Sequence, residues 1–212
     1  MSSRLLNHAA LAALTIFCFG ITAVAGPAAE LADRFSIVSA YLCLFLLGGV
    51  LLIGPLHAIR KGRPITNSHT RRDMAIWAAL AGLLHFYLAN VLSMNYEYLA
   101  IYVENAAVSP SAEIRADLYS WGTILGYVIA VLFVILLGLS NDRMVRIMGL
   151  KWWKRIQRAS YFAFLFTCAH AFAFQILESR AMLWVFVVLL ATALIVFAQA
   201  FGFSAVRKVR AK

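Results

Sequence analysis

Two of the five histidines stand inside apolar runs, His85 in "AALAGLLHFYLA" and His170 in "FAFLFTCAHAFAF". A neutral imidazole in hydrocarbon must place its ring N–H, and one without a partner costs a few kcal/mol. His85 comes thirteen residues after Arg72, and His170 twelve after Arg158. If both basic residues mark the same membrane face, each imidazole lies roughly 18–20 Å along its helix, at matched depth. Two level histidines on different helices suit the axial positions of a porphyrin iron, one Nε2 from each side. Each Nδ1–H is expected to bond a carbonyl one turn back on its own helix, as metal-bound imidazoles commonly do. Small residues accompany both: Ala78, Ala81, Gly82 and Ala89 around His85, and Ala163, Thr167 and Ala173 around His170. They leave room for a flat macrocycle, and equally for close helix packing. The aromatics Phe86, Tyr87, Phe166, Phe172 and Phe174 are placed to flank such a ring. Hydrogen bonding between helices, with no cofactor, is the competing use of the two imidazoles.

The elements that must hold them are membrane helices. Of 212 residues 63% are apolar and only 13% charged, with a mean hydropathy of +0.83, far from soluble-domain composition. A span needs about 20 mostly apolar residues. Six stretches qualify, near 9–26, 37–58, 74–95, 119–139, 159–177 and 181–203. An all-α, six-helix transmembrane bundle in a single domain is therefore expected. The ten-residue alternation of a membrane barrel is absent. Gly122 and Gly126 form a G-x-x-x-G pair suited to close packing of the fourth helix.

The net charge of +10 is sorted by loop, so nucleic acid is not the expected partner. The N-terminus, 59–73, 140–158 and the C-terminal tail hold sixteen of the nineteen Lys and Arg with only Asp73 and Asp142 as acids. The segments 28–36, 96–118 and 178–180 hold Arg34, Arg115 and Arg180 against seven acids. By the positive-inside rule both termini are cytoplasmic and 96–118 is the main exported loop, in a multi-pass protein of the inner membrane. The basic loops "RKGRPITNSHTRR" and "RMVRIMGLKWWKR" also suit anionic lipid or an acidic partner. The N-terminal stretch has two readings: a retained first helix, or a signal peptide cut near "AVA" before Gly26.

Other chemistries find no support. Cys18, Cys43 and Cys168 lie in apolar runs, and without C-x-x-C-H covalent haem attachment is excluded. There is no dinucleotide fingerprint, Walker loop or zinc spacing. Broken helices with midplane Gly or Pro, the mark of a transporter, are missing. Nor do the outer loops have metal-ligand spacing for reducing metal ions directly. His8, His57 and His69 fall at helix ends or in the basic loop and are expected to face lipid or solvent.

The spaced signatures around these histidines resemble the ferric-reductase-like transmembrane domain family, which includes the haem-binding membrane subunit of a periplasmic methionine sulfoxide reductase. The third helix of that family opens with R-R-x-L-G-[LI] and places a His fourteen residues after the first Arg. Here "TRRDMAIWAALAGLLH" runs from Arg71 and Arg72 through Met74, Ala75 and Ile76 to His85. The family's second signature reads W-x-x-L-H-R-x-x-Y with a further His thirteen residues after the first. In this chain Leu139, Ser140, Leu150, Trp153, Arg158, Tyr161 and His170 fall in register. The likeness covers about 55–205. It implies a six-helix bundle with haem b between the third and fifth helices. Electrons would pass from quinol or a flavin donor to an acceptor at the outer face, a soluble or exported redox partner included.

Gln157 departs from that pattern, because the family carries a haem-ligating His there. Two-haem relatives would also want a His at the position of Arg71. One haem, on His85 and His170, is the resulting expectation, with His57 or His69 as conceivable inner substitutes. No residue then serves as a catalytic acid or base, since the cofactor carries the redox chemistry. The acidic residues Glu97, Glu104, Glu113 and Asp117 would solvate the exported loop or dock a basic partner. A haem-free assembly or carrier protein on the same fold is the alternative.

Overall fold

Helix boundaries follow from where polar side chains can replace backbone partners. Asp117 caps one long helix by accepting from the Ser120 amide at 2.8 Å, and Asn141 caps the next through the Met144 amide at 2.9 Å. The computed structural model describes residues 3–25, 31–61, 69–91, 103–104, 113–114, 117–177 and 182–210. Its helices are α1 (Ser3–Ala25), α2 (Leu31–Lys61), α3 (His69–Val91), α4 (Leu118–Leu139), α5 (Asp142–Gln157), α6 (Ala159–Leu177) and α7 (Met182–Arg210). Between α3 and α4 two short strands, β1 (Val103–Glu104) and β2 (Glu113–Ile114), pair antiparallel with Val103 opposite Ile114. The rest of the 96–118 connection, where the exported acidic loop is expected, lies outside the described residues.

Each of the six expected stretches lies in a separate long helix, over its described residues. Five stretches are long and apolar enough to cross a membrane: α1 from Arg4, α2, α4, α5 with α6 from Asp142 to Leu177, and α7 as far as Ser204. α3 is less apolar because it carries Asp73, His85 and Asn90, and it turns them inward: Asp73 is fully buried and Asn90 nearly so. α2 is the central element, packing on α1, α3, α6 and α7, while α4 packs on α3 and α6. The core lies along Leu47, Leu51, Ala78, Phe133, Ala163 and Val188. α7 presents Phe186, Leu190, Leu194, Phe197 and Phe201 outward, the expected surface of a helix solvated by lipid chains. Hydroxyls at depth bond the carbonyl one turn back on their own helix, as Thr123 does to Tyr119 and Thr167 to Ala163.

α5 corrects a detail of the sequence reading, in which 140–158 is a loop. It is an amphipathic helix with no buried residue, exposing Ile147, Leu150 and Trp152 beside its Arg and Lys side chains. That is the pattern of a helix lying in a membrane interface. Gly149, at φ 75° and ψ 152°, breaks it midway in a conformation that favours glycine. Its ends are tethered: Trp153 Nε1 donates to the Leu139 carbonyl at 2.8 Å, and Arg72 pairs with Asp142 at 2.7 Å. The Arg72 hydrogen bond and charge hold the Asp142 carboxyl below its ordinary range.

α1 is fastened by a polar cluster as well as by Leu11 and Phe19, which pack against the core. The buried Asp73 carboxylate accepts from Arg4 at 3.1 Å and from Asn7 at 3.1 Å, and faces His8 Nε2 at 3.4 Å. Trp77 Nε1 donates to His8 Nδ1 at 3.1 Å. His8 is thus half-buried against α3, not facing lipid as its position at a helix end suggests. Arg4→Ala removes the principal counter-charge of a carboxylate that has no access to water. Arg4 is itself 37% exposed and Asn7 still donates to the carboxylate, so the cost should be about 1–3 kcal/mol, below that of breaking a fully buried pair. Detergent or thermal unfolding measures this, and adding Asp73→Asn to Arg4→Ala should recover part of the loss.

Candidate functional site

Four helices, α2, α3, α4 and α6, surround a cavity of about 450 Å³. Its volume falls within the roughly 300–1,000 Å³ typical of cofactor sites. Both deep histidines line it, from α3 and α6, with mostly apolar or aromatic walls that include Leu44, Phe86, Ile129, Phe133 and Phe174. The His85 and His170 ring centroids are 6.1 Å apart and the ring planes meet at 72°. The two histidines that spacing singles out are thus brought side by side in the folded chain.

Their orientation comes from neighbouring helices, not from their own. His85 Nδ1 lies 3.0 Å from the Ser36 carbonyl on α2, with the Ser36 hydroxyl at 3.1 Å. His170 Nδ1 lies 2.8 Å from the Gly122 carbonyl on α4. A carbonyl only accepts, so Nδ1 is the donor in both rings and Nε2 is the nitrogen with the lone pair. This corrects the expected acceptor one turn back. Both acceptors are carbonyls of neighbouring helices, which close packing brings within reach of the rings.

The G-x-x-x-G pair makes that packing. A Cβ added at Gly126 would lie 3.1 Å from His170 Cε1 and 3.4 Å from its Nδ1, and one at Gly122 would meet Ala173 and Phe174. Gly122 therefore lends its carbonyl to the imidazole while Gly126 gives the ring its space. His170 also packs on Phe174 at 4.8 Å between centroids.

The small and aromatic neighbours divide into two groups. Gly82, Ala89, Thr167, Phe86 and Phe174 line the cavity. Ala78, Ala81, Ala163 and Ala173 are buried in helix contacts, Phe166 and Phe172 pack against the core, and Tyr87 is exposed. Sequence reasoning missed Ser36, Tyr41, Asn90, Tyr127 and Gln175. Tyr127 donates to Asn90 Oδ1 at 2.7 Å, and Gln175 Nε2 lies 2.6 Å from the Tyr41 hydroxyl. The intramembrane Asn and Gln were the signal available for two of them. Asp33 is the lining's carboxylate, and neither Lys nor Arg lines it among the described residues.

A second cavity, of about 290 Å³, lies at the basic end of the bundle, and Phe133 borders both. Arg71 and Gln157 line it, and His57 and His69 are not among its lining residues. Among the described residues no three His, Cys, Asp or Glu side chains converge as a metal-binding group. A metal between His85 and His170 would therefore need its remaining ligands from a cofactor. Comparison with family models, with curated proteins and with solved structures finds no match to this chain.

Proposed function

We propose that this chain is a haem-b-binding membrane electron-transfer subunit in which His85 and His170 are the two axial ligands of one haem. The observation that carries the reading is the 6.1 Å separation of two imidazoles that each donate from Nδ1 to a carbonyl of another helix. Iron between them needs roughly 2 Å of metal–nitrogen bond on each side and roughly 1 Å from nitrogen to ring centre, about 6 Å in all. The apolar lining and cavity volume suit the porphyrin faces. Ser36, Tyr41, Asn90, Thr123, Tyr127 and Gln175 are the neutral polar side chains on the lining.

When bound, the haem supplies one-electron chemistry, its potential set by ligands, burial and hydrogen bonding. The protein's own work is to hold the imidazoles and exclude water. The Ser36 and Gly122 carbonyls fix both rings in one tautomer and increase the basicity of Nε2. Phe86, Phe133 and Phe174 keep the surroundings dry.

In this reading six helices cross the inner membrane, α3 with its polar face turned inward, and both termini lie on the cytoplasmic side where the basic residues concentrate. Electrons pass from quinol or a flavin donor to an acceptor at or beyond the outer face. The resemblance to the ferric-reductase-like family points the same way, with Gln157 and Arg71 marking the loss of an inner haem.

The test is cofactor stoichiometry. Protein purified from haem-replete cells should show a Soret band, α and β bands on reduction, and one porphyrin per chain. Two porphyrins would reject the single-site assignment, and none would reject the function.

A further inference from the structure

The second cavity carries chemistry that a haem on His85 and His170 does not use. Arg71, Arg72, Lys154 and Arg158 line it, and no Asp, Glu or His does among the described residues. Two of its donors are buried with no acceptor among the described residues: Arg72 Nε and Gln157 Nε2. The Arg72 side chain is only 9% exposed, and its bond to Asp142 uses Nη1 and leaves Nε over. Unsatisfied buried donors are expensive. A site rich in cations and orphan donors, and poor in acceptors, is matched by an oxyanion.

Another part of the lining is apolar, with Leu47, Val50, Ala79, Phe133 and Leu136. A ligand that satisfies both parts has an anionic head and a hydrocarbon body. Oxidation of a quinol is less well served here, because it releases protons and the lining offers neither carboxylate nor imidazole to receive them.

We propose that this cavity binds the phosphate head of an anionic phospholipid, with Arg71, Arg158, Arg72 Nε and Gln157 Nε2 as its donors and the apolar wall beneath its first methylenes. The proposal does not depend on haem binding. It differs from the general attraction of basic loops to anionic membranes in naming a single site of fixed occupancy. Arg143 and Arg146 on α5 are basic but stand outside the cavity lining, and they supply the control.

The test is native mass spectrometry of the full chain in detergent, titrated with phosphatidylglycerol or phosphatidylcholine. The expected result is a one-to-one adduct with phosphatidylglycerol that phosphatidylcholine does not match. Arg71→Gln with Arg158→Gln should weaken it about tenfold or more, whereas Arg143→Gln with Arg146→Gln should leave it unchanged. Gln157→Leu supplies a second readout. It should raise thermal stability without lipid, by removing an orphan donor, and reduce the further gain that phosphatidylglycerol gives. Equal retention of the two lipids overturns the proposal, as does equal weakening by the two arginine pairs. Inorganic phosphate that occupies the site while phosphatidylglycerol does not would overturn the lipid assignment.

Discussion

His85→Ala and His170→Ala should each abolish stable haem retention, with a loss of affinity of at least about 100-fold. Changing only a group that hydrogen-bonds a metal ligand costs about 10–100-fold at metal sites, and removal of a ligand exceeds that. Neither substitution should unfold the chain. Both rings are only half-buried, on the wall of a cavity, so alanine enlarges a space that already exists rather than opening one in the core. The helical circular dichroism should be retained while the Soret band is lost. Imidazole added to either variant should restore part of the band, because the vacated space is imidazole-shaped and the other ligand stays anchored. Unchanged Soret intensity in both variants would show that the histidines only bridge helices, as the haem-free alternative requires.

Gly126→Leu should be nearly as damaging although it removes no ligand. The missing Cβ leaves only 3.1–3.4 Å to the His170 ring, so even alanine must push the imidazole by a few tenths of an ångström. Leucine adds three further carbons where the ring now lies. Overpacking of this kind costs about 1–3 kcal/mol, which corresponds to about a fivefold to 150-fold loss of haem affinity. Gly126→Ala should keep the haem with weakened binding and a shifted spectrum. Gly138 lies on the same helix, and a Cβ there would meet nothing within 4 Å. Gly138→Leu should therefore bind haem as the parent does. The two leucine variants together separate a steric effect on His170 from a general effect on α4.

The legible part of the fold was whatever apolar run length records. The long helices, α6 at its stated boundaries and α4 within one residue of them, follow from uninterrupted hydrophobicity, which for α4 ends at its C-cap Ser140. α5 was not legible as a helix because Gly149 interrupts it and its apolar residues face outward rather than toward a core. The two histidines were found from depth alone, since charged boundary residues fix where each helix begins. Their partners were not. Ser36 and Gly122 take part through main-chain carbonyls, and a carbonyl leaves no trace in the residue type that carries it. Gly122 and Gly126 hinted at a close approach without saying what approached. The Asp73 cluster was hidden for another reason: Arg4, Asn7 and His8 read as an ordinary polar helix start until packing brings them onto α3.

The central claim is that His85 and His170 bind the same iron, and electron paramagnetic resonance of the oxidised, haem-loaded protein tests it most directly. Two neutral imidazoles on ferric haem give a low-spin signal, and planes inclined at 72° give the strongly anisotropic form of it. That signal is the predicted result, and it should disappear in both alanine variants. A high-spin signal from five-coordinate iron in the parent protein, or a low-spin signal that survives either substitution, would contradict the shared axial ligation.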